Sequence, residues 1–147
     1  MPRMTAYDPW LDLRNNWPDV RIRVEAMRSP LLGWVSYPVI ALRAGTSAAQ
    51  QRCTLTHELV HLERGLAECG PWADREERYV HEEVARRLIS VDDLARAVQQ
   101  AGGTYDLGAI AVMLDVDRET LDVRLGLITR AERRRIRTRG AELWSVA

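Results

Sequence analysis

The segment from Ser47 to Gly65 constrains this chain more than any other. Ser47 is followed three positions later by Gln50, a pair that caps a helix start, and Leu55, Leu59, Val60 and Leu62 then return at helical spacing until Gly65. The pattern predicts one helix of about five turns. That helix carries His57-Glu58-Leu59-Val60-His61. Residues four apart stand on the same helical face, so His57 and His61 can aim two imidazoles at a single ion. Glu58 sits one residue around the helix, close enough to take a proton from water activated there without itself being a ligand. Zinc lowers the pKa of a bound water from near 16 to about 7, and Glu58 would accept that proton and pass it to a leaving amine. Thr54, Leu55, Leu59, Val60 and Leu62 are uncharged, as a buried helix requires, and only Glu63 departs from that. The competing reading is an exposed helix on which Glu58 pairs with an arginine. It leaves unexplained why two of the chain's three histidines share one face of an apolar helix.

A catalytic zinc site needs a third protein ligand and a fourth position open to water. A second helix is expected from Asp74 to Ile89, with Val80, Val84, Leu88 and Ile89 inward. Glu76, Glu77, Glu82 and Glu83 all lie on it. Glu77 precedes the apolar positions with a spacing that puts it near the inner face, with His81 one turn above. It is the preferred third ligand, and Glu76 is second. The alternative for Glu77 is a capping-box role with Asp74. Glu82 and Glu83 read as solvated partners of Arg86 and Arg87.

Upstream, prolines and glycines separate short β-favouring runs. Val20 to Val24 alternates apolar residues with Arg21 and Arg23, the period of a half-buried strand; Trp34 to Tyr37 and Val39 to Leu42 read as two more, with Pro38 marking a bend or an edge. After Ser90 the chain becomes short helices: Asp92 to Gln100, Leu107 to Leu114, Arg118 to Leu127, and a last one opened by Thr129 with Glu132 as capping partner. The expected class is α+β, with a first domain over 1–90 and a small helical module over 91–147. A length of 147 residues leaves no room for two large domains.

Acidic and basic residues balance at 21 each, so no global field draws the chain toward nucleic acid or an anionic membrane. Every basic residue is arginine, which points to a high-GC genome and a bacterial or phage source. No apolar run is long enough to span a membrane and the amino terminus lacks a signal-peptide core, so a cytoplasmic location is expected. Cys53 reads as a small buried residue and Cys69 as a loop residue, without a disulfide.

The run Arg52-Cys53-Thr54-Leu55-Thr56-His57-Glu58-Leu59-Val60-His61, with Glu77, Val80, His81, Val84, Ala85 and Leu88 downstream, resembles the ImmA/IrrE family of metallopeptidases. The resemblance covers roughly Val20 to Ile89. It implies a zincin-like fold of the gluzincin kind, a short twisted sheet over an active-site helix whose edge strand holds an extended substrate. It further implies Zn2+ held by His57, His61 and Glu77, Glu58 as the catalytic base, and a protein substrate, a transcriptional or phage repressor. His81 stands where the family has an Asn or Asp that hydrogen-bonds a ligand histidine. It is read either in that role or as an oxyanion stabiliser. Tyr37, Tyr79 and Tyr105 are candidate transition-state donors without a ranking.

The rival reading comes from the last helices. Leu107 to Leu125 resembles a helix-turn-helix, although Asp115 replaces the usual turn glycine, and Arg130, Arg133, Arg134, Arg135, Arg137 and Arg139 form a basic run. Glu119 and Asp122 on the would-be recognition helix repel phosphate. A module that packs on the peptidase or docks its target is therefore preferred to DNA binding. A third reading is an inactive zinc-binding interaction protein. The oligomeric state stays open.

Overall fold

The computed structural model describes residues 7–65, 71–102 and 106–138, so Cys69, Tyr105 and Arg139 fall outside the described residues. The order is α1 (Pro9–Asn16), β1 (Arg21–Glu25), β2 (Gly33–Ser36), β3 (Val39–Arg43), α2 (Ala48–Arg64), α3 (Ala73–Leu88), α4 (Val91–Gln100), α5 (Leu107–Leu114), α6 (Arg118–Gly126) and α7 (Arg130–Thr138). This is the expected α+β class.

The three strands form where the alternation put them, in the order β1-β3-β2. β1 runs parallel to β3, with Ile22 opposite Ile40, and β2 runs antiparallel to β3, with Val35 opposite the same Ile40. The expected Val20, Ile22, Val24 face needs correction at its end: Val20 is buried, Ile22 is half-buried, and Val24 is 57 % exposed. The apolar cluster between sheet and helix reaches Val20 and Ile22 but not Val24, so this edge strand runs out past the core.

α1 was not expected from the alternating runs. Its start signal is local: Asp8 accepts hydrogen bonds from the Trp10 and Leu11 amides, and Pro9 occupies the first turn, where its missing N–H costs nothing.

α2 opens with the full Ser47–Gln50 capping box and closes at Gly65, whose φ of 86° satisfies the last turn's carbonyls. It is apolar on two sides. Leu55, Leu59 and Leu62 pack with Val20, Ile40 and Leu42 beneath the sheet. Cys53 and Val60 face a second cluster with Val80, Val84 and Leu88 of α3. Burying each such large aliphatic side chain stabilises the fold by about 1.5–3 kcal/mol. The second cluster continues without a break past residue 90 through Leu94, Ile110 and Leu121 to Ile136.

Two further contacts tie the carboxy-terminal helices to α2. The buried Arg52 guanidinium donates to the carbonyls of Leu114 (3.4 Å), Asp115 (2.9 Å) and Tyr7 (3.0 Å). The Asp117 amide donates to Cys53 Sγ at 3.4 Å. Between α5 and α6, Asp115 itself adopts the left-handed conformation with φ 57° that a glycine usually supplies, a geometry Asp tolerates better than most residues.

Candidate metal centre

α2 and α3 pack side by side and bring their polar positions together. All three histidines of the chain meet there. His57 Nε2 lies 3.1 Å from His61 Nε2. Glu77 reaches across from α3, with Oε1 2.9 Å from His61 Nε2 and Oε2 3.4 Å from His57 Nε2. In a tetrahedral zinc site with bonds of about 2.0–2.1 Å, neighbouring donors stand about 3.3 Å apart. The separations, those to Glu77 taken from its two oxygens, fall near that spacing, and two imidazoles with one carboxylate are a donor set zinc takes readily. His81 stands at the same place: donor atoms of His57, Glu77 and His81 all lie within 4.8 Å of one another.

Glu76 does not join them. It pairs with Arg64 on the outer side, at 3.0 Å from Nη2. Glu77 does not cap its helix either, because α3 starts at Ala73 after Trp72, which makes no side-chain cap bond. The surface pairs expected for Glu82 with Arg86 and Glu83 with Arg87 both form. Glu63, out of place in an apolar pattern, accepts two hydrogen bonds from Arg87.

Glu58 is 6 % exposed and has no arginine partner among the described residues. Burial first, and then the Glu77 charge, push its carboxyl up to about 7. His57 is pushed down to about 3 by burial and by the neighbouring His61 and His81, which keeps its ring neutral and able to bind a metal. A cleft of about 250 Å³ opens onto these groups, and His57, Glu58, Glu77 and His81 all line it.

Residues 18–126 match the sequence model of the IrrE N-terminal-like domain, Peptidase_M78. The chain belongs to this metallopeptidase family. No curated protein and no solved structure matches it. The IrrE-like match runs through α4, α5 and the whole of α6, so three helices beyond residue 90 are part of what the family model covers.

Several groups at this IrrE-like centre escaped the sequence reading. Gly33 of β2 presses against α2 beside Glu58, and the signal for it was a glycine directly before the β-favouring run that starts at Trp34. Asp117, which caps α6, and Glu119 and Thr120 of α6 form the far wall of the cleft, which no local pattern could indicate. Of the tyrosines considered as transition-state donors, Tyr37 is exposed on the β2–β3 turn and Tyr79 lies beneath the Arg64 guanidinium; neither lines the cleft.

Proposed function

We propose that this chain is a zinc-dependent endopeptidase that hydrolyses a peptide bond in a specific protein target, a transcriptional or phage repressor. The observation that carries the reading is the convergence of His57, His61 and Glu77 beside a buried Glu58. His57, His61 and Glu77 would hold the ion. When bound, zinc supplies a Lewis acid that acidifies water and polarises the scissile carbonyl.

The chain's own groups do the rest. Glu58, buried beside the ligand histidines, is poised to take the proton of the attacking water at a carboxylate oxygen and deliver it to the leaving amine. β2 is an edge strand whose outer backbone groups can pair with an extended peptide, laying the target across the cleft. The repressor target is suggested by family membership. A cytoplasmic site of action would suit it, and no helix of the described residues is long and apolar enough to cross a membrane.

DNA binding is the weaker reading for α5–α6. The amino-terminal turn of α6 faces the cleft, Arg124 is buried against the Ile89 carbonyl and Glu132, and Arg135 pairs with Asp92. These contacts favour a wall or docking surface for the peptidase.

Comparing new protein termini in cells that express the chain or its Glu58→Gln form tests the proposal. The expected result is a small set of cleavages, a DNA-binding repressor among them, that vanish in Glu58→Gln while zinc content is unchanged. Cleavages that persist in that variant would refute the mechanism.

A further inference from the structure

His81 is the polar side chain at the centre that the proposed mechanism leaves without a task. It makes no hydrogen bond to His57 or His61, so it does not orient a ligand ring in the way an Asn or Asp at this place would. Its Nε2 stands 3.9 Å from Glu77 Oε2, and its ring centroid 4.9 Å from that of His57. Its donor atom lies within 4.8 Å of those of His57 and Glu77, at the mouth of the cleft.

Exposure grades outward across the cluster. The side chains of His61 and His57 are 11 % and 20 % exposed, whereas that of His81 is 43 % exposed. The ring also borders two cavities: the cleft of about 250 Å³, and an adjoining one of about 510 Å³ walled by α3 and α6. An imidazole on a helix changes direction by rotation about χ1, and both directions here lead into open space. Outward, Glu82, Glu119 and Asp122 line the second cavity and offer acceptors for a ring N–H.

We propose that His81 is a fourth protein donor to the metal in the resting enzyme, occupying the position that a peptidase must leave to water, and that it swings into the outer cavity when a ligand enters. The proposal rests on the metallopeptidase reading. Four protein donors close a zinc site, and three leave it open. The resting protein is then self-blocked, and a target that displaces the ring opens it.

The test loads the full chain with Co2+ or Zn2+ alone and counts imidazole donors by X-ray absorption, for the native sequence, His81→Ala and His81→Asn. Three imidazoles are expected in the native protein and two in each variant. Acetohydroxamate, a small chelating probe that must displace the ring, should bind His81→Ala more tightly than the native protein. Equal imidazole counts, or equal acetohydroxamate affinities, would overturn the proposal while leaving the three-donor site intact. Failure of the native chain to take up either metal would remove the metallopeptidase reading and this inference together. His81 is half-exposed, so neither variant puts folding at risk.

Discussion

Gly33 on β2 and Thr54 on α2 approach so closely that a Cβ at residue 33 would lie 2.5 Å from Thr54 Cγ2. The same atom would stand 2.8 Å from the Ala41 carbonyl oxygen and 3.5 Å from Glu58 Oε1. Relief would have to come from the Ala41 strand backbone or from the helix that carries Glu58. Gly33→Ala should cost about 1–3 kcal/mol of stability by overpacking and lower turnover as well. Thermal melting with a cleavage assay checks this, and an unaltered variant would mean the strand slides freely over the helix.

The two adjacent glutamates should separate cleanly. Glu77 faces His57 and His61, while Glu76 is engaged with Arg64 on the outer surface. Glu77→Gln should weaken zinc binding by more than the about 10–100-fold that losing a mere supporting partner costs. Glu76→Gln should leave zinc affinity as it was. Competition with a fluorescent chelator measures both.

Stripping the metal should abolish cleavage and soften the fold. A ligand that binds only the native state adds about 2.7 kcal/mol at a concentration 100 times its dissociation constant. Melting temperature should therefore fall with chelator and return when zinc is restored. A chelator-treated protein that melts as before would speak against metal binding at this cluster.

Arg52 joins α2 to the α5–α6 turn and to Tyr7 through three carbonyl oxygens. Arg52→Ala leaves those acceptors short of a donor and should destabilise the protein by about 2–4 kcal/mol. Arg52→Lys should rescue little of it, because one ammonium cannot reproduce the fork of the guanidinium. Urea unfolding of the two variants decides.

Acid should unfold the protein partly through Glu132. Burial pushes this carboxyl up, but the Arg124 guanidinium and the Thr129 amide overcome that and hold it below its ordinary 4.5. A lowered folded-state pKa means stability fully present above 4.5 and lost as pH falls through the folded value. Glu132→Gln should flatten the acid limb of a plot of urea midpoint against pH between about pH 6 and about pH 3. An unchanged limb would place the acid sensitivity elsewhere.

What the sequence disclosed and what it concealed follow from range. The Ser47–Gln50 and Thr129–Glu132 caps were legible because each is a bond between neighbours, and both form. Glu77 was legible because helical periodicity carries it to the same side as Val80 and Val84. The Asp8–Pro9 start of α1 was also local, but the surrounding β-favouring runs masked it. Asp115 looked unfavourable in a turn, yet a left-handed Asp is tolerated where Arg52 grips its carbonyl. The α6 wall and the second cavity beside His81 depend on helices far apart in the chain, and no spacing rule reaches that far.

The clasp between the motif helix and the α5–α6 turn has an evolutionary corollary. Since the Asp117 amide rests on Cys53, one turn before His57, changes that reshape the turn are felt at the metal and at the cleft wall together. Drift in the α5–α6 turn of this chain therefore cannot be neutral toward the motif helix, because the two share a hydrogen-bonded seam.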